Sequence, residues 1–100
     1  MDFALLSMII RYRRYFMLFN KAFSEELFKD PTSEYRGTPF WSWNSRLDKE
    51  ELLWQIDILK KMGFGGFHIH CRTGMATEYL SDNFMDLVKA CAEKAEREQM

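Results

Sequence analysis

His68 and His70 stand two residues apart in an apolar stretch, and on an extended strand that spacing sends both imidazoles to one face. Two imidazoles on one face are the beginning of a divalent-metal site, which normally adds carboxylates or further histidines from other elements. These are the only two histidines of the 100-residue chain. An ordinary hydrogen-bonded pair is therefore the first expectation, with no metal and no cofactor, and His70, nearer the strand's C-terminal end, is the better site candidate. Trp41 and Trp43 repeat the same spacing. Their indole faces suit either stacking on a sugar ring or filling a core, and both uses stay open. Asn44 and Arg72 each end a predicted strand. The planar guanidinium of Arg72 fits a carboxylate or sugar hydroxyls, or a salt bridge that pins the following loop.

The acidic residues supply no catalytic pair. Cleavage of a glycosidic bond uses two carboxyl groups roughly 5 to 9.5 Å apart. Glu50, Glu51, Asp57, Asp82, Asp86, Glu93, Glu96 and Glu98 all fall on predicted helices, and Glu78 alone lies in a loop. No catalytic residue is assigned within this chain. The run Gly63-Phe64-Gly65-Gly66 is not a phosphate cradle, because it follows a helix and opens a strand, the reverse of a phosphate-binding loop.

The elements that position these residues are legible from Lys29 onward. Pro31 and the Asp, Thr and Ser around it mark a loop. Residues 38–44, aromatic and opened by Pro39, predict strand one. Asp48 caps helix one, with Glu51 three residues on and Leu47 able to staple to Leu52. Leu52, Leu53, Ile56, Leu59 and Met62 form its apolar stripe, Lys60 and Lys61 suit its negative end, and Gly63 supplies the exit. Residues 64–71 predict strand two. Helix two starts near Ser81 with a stripe of Phe84, Leu87, Val88, Cys91, Ala92 and Ala95, and no Gly or Pro closes it. A short turn at Gly63 and a long polar loop over residues 72–80 match the unequal connections of a (β/α)₈ barrel. The expected fold class is α/β: the first two β/α units of an incomplete barrel, preceded by an N-terminal helix.

Composition agrees with a folded chain, at 47% hydrophobic and 29% charged residues. A formal net charge of −1 removes the electrostatic case for a nucleic-acid partner. Cys71 and Cys91 lack a C-x-x-C pattern and read as two buried free thiols, as in a reducing compartment. Residues 3–10 are apolar, but Asp2 precedes them and Arg11, Arg13 and Arg14 follow, the wrong order for a secretory signal. The run is also shorter than the roughly 18 residues of a spanning helix. Residues 3–23 predict a helix without a clean polar face. It is read as docked on another element, or as an extension upstream of a start at Met17. An interfacial membrane helix is the lesser alternative. The expected location is cytoplasmic, with no membrane partner.

Several motifs recur in order. Phe28-Lys29-Asp30-Pro31, then Glu34-Tyr35-Arg36-Gly37-Thr38-Pro39-Phe40-Trp41-Ser42-Trp43-Asn44, Met62-Gly63-Phe64-Gly65-Gly66-Phe67, Arg72-Thr73-Gly74 and Tyr79-Leu80-Ser81-Asp82 resemble the N-terminal end of the catalytic domain of bacterial α-L-rhamnosidase-like glycoside hydrolases. The resemblance covers residues 28–100, with His68 and Cys71 standing where an apolar and a small hydroxyl residue are expected. It implies the first part of a barrel catalytic domain over residues 29–100; residues 1–28, read as a helical leader from their own pattern, have no counterpart in the family over residues 1–23. It further implies inverting hydrolysis by carboxylates beyond Met100, missing C-terminal barrel and β-rich domains, and a carbohydrate substrate. Asn44, His70, Arg72 and Trp43 are the substrate-binding candidates, and the 100-residue fragment alone is expected to be inactive. The alternatives are a metal-dependent barrel hydrolase using His68 and His70, and a non-catalytic truncated product.

Overall fold

The computed structural model describes residues 4–9, 11 and 23–100. The chain divides into two compact units at Asp30 and Pro31. In the first unit, residues 4–9 and 11 are helical; the rest of the helix expected over residues 3–23, with Arg13, Arg14 and Met17, lies outside the described residues. Helix α1 (Glu25–Lys29) is capped by the Ser24 hydroxyl, which accepts from the Leu27 N–H at 3.3 Å. Glu25 and Lys29 pair across one turn at 2.8 Å, an exposed contact that contributes only about 0.3–0.5 kcal/mol. No helix among the described residues is long and apolar enough to cross a membrane.

The second unit opens on Pro31 and a 3₁₀ turn over Ser33–Tyr35, where Arg36 donates through Nε to the Pro31 carbonyl at 2.8 Å. Strand β1 (Phe40–Trp43), helix α2 (Lys49–Lys61), strand β2 (His68–Cys71) and helix α3 (Asp82–Arg97) follow. The strands pair in parallel with Phe40 opposite His68 and Trp43 opposite Cys71. Each strand has four residues, fewer than expected, and Pro39 explains why. It has no N–H to extend the ladder. Gly65 N–H reaches the Gly37 carbonyl and His68 N–H reaches the Pro39 carbonyl, both at 2.9 Å. Three residues of one segment therefore run against two of the other, and regular pairing begins only at His68.

The expected barrel units are corrected by this arrangement. The sheet has two strands in the order β1-β2. Barrel closure needs a continuous staggered ring of about eight strands, whereas here the core lies on one side of a single strand pair. That core joins Trp41 and Trp43 of β1 to Leu52 and Ile56 of α2 and Phe84, Leu87 and Cys91 of α3. On the opposite side Phe40, Ser42, His68 and His70 are exposed.

Local chemistry explains both long helices. Asp48 Oδ1 accepts from the Glu51 N–H at 3.0 Å, and Ser81 Oγ accepts from the Phe84 N–H at 3.1 Å. Two stripe residues depart from expectation. Met62 is exposed because it sits at the C-cap beyond the last helical turn. Ala92 is exposed because it lies about 100° around the helix from buried Cys91. Between the helices Lys94 pairs with Asp57 at 2.7 Å, and Lys60 pairs with Glu98 at 2.6 Å. The hydrogen bond and charge of Lys60 hold the Glu98 carboxyl below its ordinary pKa.

Both helices end in the same way, although only one has a glycine. After α2, Gly63 takes φ +92° and Phe64 N–H reaches back to the Leu59 carbonyl at 3.1 Å. After α3, Gln99 takes φ +58° and Met100 N–H reaches the Ala95 carbonyl at 2.9 Å. These are paired Schellman closures. The left-handed region is open to Gly and unfavourable to a residue with a Cβ. Gln99→Gly should therefore stabilise the fold by about 0.5–1 kcal/mol and Gly63→Ala should destabilise it by about 1 kcal/mol. Urea melts of the two variants check the opposite signs; a loss in both would mean the Gln99 side chain holds the turn.

Candidate functional site

The site is built on the C-terminal end of β2 and the loop that follows. Arg72 N–H continues past the strand to the Trp43 carbonyl at 3.0 Å, and Met75 N–H turns back to the Arg72 carbonyl at 3.2 Å. Gly74, at φ +99°, lies against Asn44, whose carbonyl oxygen would be 2.9 Å from an added Cβ. Ala76 N–H then bonds the Ser45 carbonyl at 3.1 Å, and Thr77 Oγ1 accepts from the Leu47 N–H at 3.0 Å. The loop after β2 is thus strapped over the loop after β1. It frames an open concavity of about 710 Å³ whose walls include His70, Arg72, Thr77, Glu78 and Tyr79.

His68, His70 and Arg72 alternate onto the exposed face of β2, as strand geometry requires. Phe40 of β1, 52% exposed, occupies the same face. Its ring meets the His70 imidazole at 4.5 Å between centroids with a 39° tilt, and the Arg72 guanidinium carbon lies 5.7 Å from the ring centre. His68 is engaged elsewhere, its Nε2 lying 2.9 Å from Thr38 Oγ1. Among the described residues no group of three or more His, Cys, Asp or Glu side chains converges as a metal site. The geometry therefore separates the two histidines: His68 braces the strand's start, and His70 faces the concavity beside Arg72.

The other sequence candidates fall differently. Asn44 is exposed at the end of β1, with its backbone under Gly74. Trp43 is only 1% exposed and meets Trp41 and Phe84 edge-on at 5.5 and 5.8 Å. Its ring is packed in the core, so of the two uses left open it takes the structural one, and it offers no face to a sugar. Trp41 donates through Nε1 to Gln55 Oε1 at 2.8 Å, whereas the buried Nε1 of Trp43 has no partner.

Two aromatic residues escaped the sequence reading, Tyr79 on the concavity wall and Phe40 beside it, against His70 and Arg72. Phe40 carries the alternation signal, two residues before Ser42 on the face opposite the tryptophans. Tyr79, 61% exposed, lies in a loop without periodicity and touches Phe84 edge-on at 5.4 Å. Beside it Leu80 takes φ +61°, a left-handed conformation that a Leu adopts only under constraint.

The thiols also separate. Both cysteines are free, but Cys71 is half-buried and lines the concavity, while Cys91 is buried in the core. Burial raises the Cys91 thiol from 9.0 to about 11. The folded state therefore holds this proton longer than the unfolded chain does. The associated stability is complete below about pH 9 and is lost as pH rises through about 11. A shift of about two units corresponds to roughly 3 kcal/mol. Cys91→Ala should flatten the fall in stability over that alkaline window, measured as unfolding free energy at successive pH values. An unchanged slope would remove Cys91 as its source.

Comparison with known proteins finds no matching family model, no similar curated protein and no similar solved structure.

Proposed function

We propose that this chain is part of a glycoside hydrolase acting on O-glycosyl bonds, with α-L-rhamnosides as the substrate class, and that it supplies sugar-binding groups. The observation that carries the reading is the concavity itself. His70, Arg72 and Thr77 bring polar groups to one wall system that also exposes Tyr79. Apolar ring surface beside a few fixed polar groups is how sugar sites obtain both affinity and orientation. The ordered motifs over residues 28–100 support the same reading. In this proposal the binding role of Trp43 passes to Tyr79 and Phe40, and Asn44 serves as the rim of the strand end. A cytoplasmic setting accords with the two free thiols.

The catalytic acid and base are proposed to come from another segment, because among the described residues Glu78 is the only carboxylate on the concavity wall, and cleavage requires a pair. Purified 100-residue chain should therefore release no aglycone from an aryl α-L-rhamnoside above background, yet should bind L-rhamnose with chemical-shift changes at His70, Arg72 and Tyr79. Turnover by the chain alone would overturn the division of labour. Absence of any sugar-dependent shift at those residues would overturn the sugar-binding reading.

A further inference from the structure

We propose that the concavity recognises a sugar bearing a carboxylate, with Arg72 as the group that holds the acid. The inference rests on the sugar-binding reading and adds the charge of the ligand to it. Arg72 is exposed at the end of β2 and projects on the same face as His70. Its guanidinium lies over the ring of Phe40 at 5.7 Å and makes no ion pair among the described residues. The contrast lies within the same unit. Lys60 is neutralised by Glu98 at 2.6 Å and Lys94 by Asp57 at 2.7 Å, both between the helices, whereas Arg72 is the cation that lines the concavity.

Arg72 carries five N–H donors in a rigid fork that matches a carboxylate through two parallel hydrogen bonds. Phe40 lies against this group at a cation–π distance, a contact that uses none of its N–H donors. His70 stands one strand pleat away and lines the same concavity. Tyr79 contributes an exposed ring beside Leu80, whose left-handed backbone fixes this part of the rim. A volume of about 710 Å³ is within the range of small-ligand sites. Glu78 lines the same concavity without pairing to Arg72, and its charge opposes an incoming acid.

The test uses two probes that differ only at one carbon, methyl α-glucuronide and methyl α-glucoside, titrated into the whole chain by NMR. The glucuronide should bind at least tenfold more tightly. Arg72→Gln should abolish that preference while leaving the melting temperature unchanged, and Arg72→Lys should restore only part of it. Glu78→Gln should increase it. Equal binding of both glycosides would overturn the acidic-sugar inference and leave the sugar-binding reading intact. Propionate binding as tightly as the glucuronide would overturn the inference by showing a carboxylate site indifferent to the ring. If neither glycoside binds while L-rhamnose still shifts His70, Arg72 and Tyr79, the inference falls alone; if L-rhamnose leaves them unshifted too, the reading beneath it falls as well.

Discussion

Gly65→Ala is expected to cost about 3 kcal/mol, the upper end of what overpacking usually costs. A Cβ at this position would run into the Ser33 carbonyl oxygen and come within 2.9 Å of Arg36 Cβ. The first of these is backbone and cannot rotate away, so the segment from Ser33 to Gly37 would have to lift from β2's approach. That movement also breaks the Gly65 N–H bond to the Gly37 carbonyl at 2.9 Å. Neighbouring glycines provide the control. At Gly66 a Cβ meets the Thr38 methyl at 3.2 Å, and at Gly37 it meets Phe64 at 3.7 Å, an ordinary contact. Urea midpoints should therefore fall steeply for position 65, slightly for 66 and little for 37. Equal falls at 65 and 37 would mean that the close approach is not what selects glycine.

Trp43→Ala should destabilise by about 3–5 kcal/mol, the usual range for removing a large buried aromatic. The ring is 1% exposed and is packed against Trp41 and Phe84. It links strand to helix, so the vacated volume cannot collapse without moving α3. Trp54 is the matched comparison, since it is 57% exposed on α2. Trp54→Ala should change stability by no more than about 0.5 kcal/mol, as expected away from packed features. Chemical denaturation of both variants gives the difference directly. Similar losses would place Trp43 outside the cooperative core.

What could be read in the sequence depended on how local the cause was. The cap at Asp48, the helix start near Ser81 and the exit at Gly63 follow from residue chemistry within one helical turn, and all three stand as expected. The end of α3 did not announce itself, because Gln99 adopts a glycine-like conformation without being glycine. The strand limits depended on Pro39 interrupting a ladder with a partner more than 25 residues away, a relation no single segment displays. Trp43 was ambiguous because a stacking platform and a core residue share the same alternation; burial by Phe84, far along the chain, decides it. Tyr79 had no periodicity to reveal it. The strand and helix order was visible, but the number of strands joining a sheet is a non-local property, and there the expectation of barrel units was corrected.

The strap that holds the loop after β2 is made largely of main-chain atoms. Arg72 N–H to Trp43 carbonyl, Ala76 N–H to Ser45 carbonyl and the close approach of Gly74 to Asn44 persist whatever side chains the loop carries, provided position 74 stays glycine. Thr77, whose hydroxyl accepts from Leu47, is the exception. Positions 73 and 78 are consequently free to vary without loosening their support, whereas the Tyr79 ring also packs edge-on against Phe84. In evolutionary terms, the loop separates the inheritance of its shape from the inheritance of its side chains, so single substitutions can change the surface it presents while the frame is passed on unchanged.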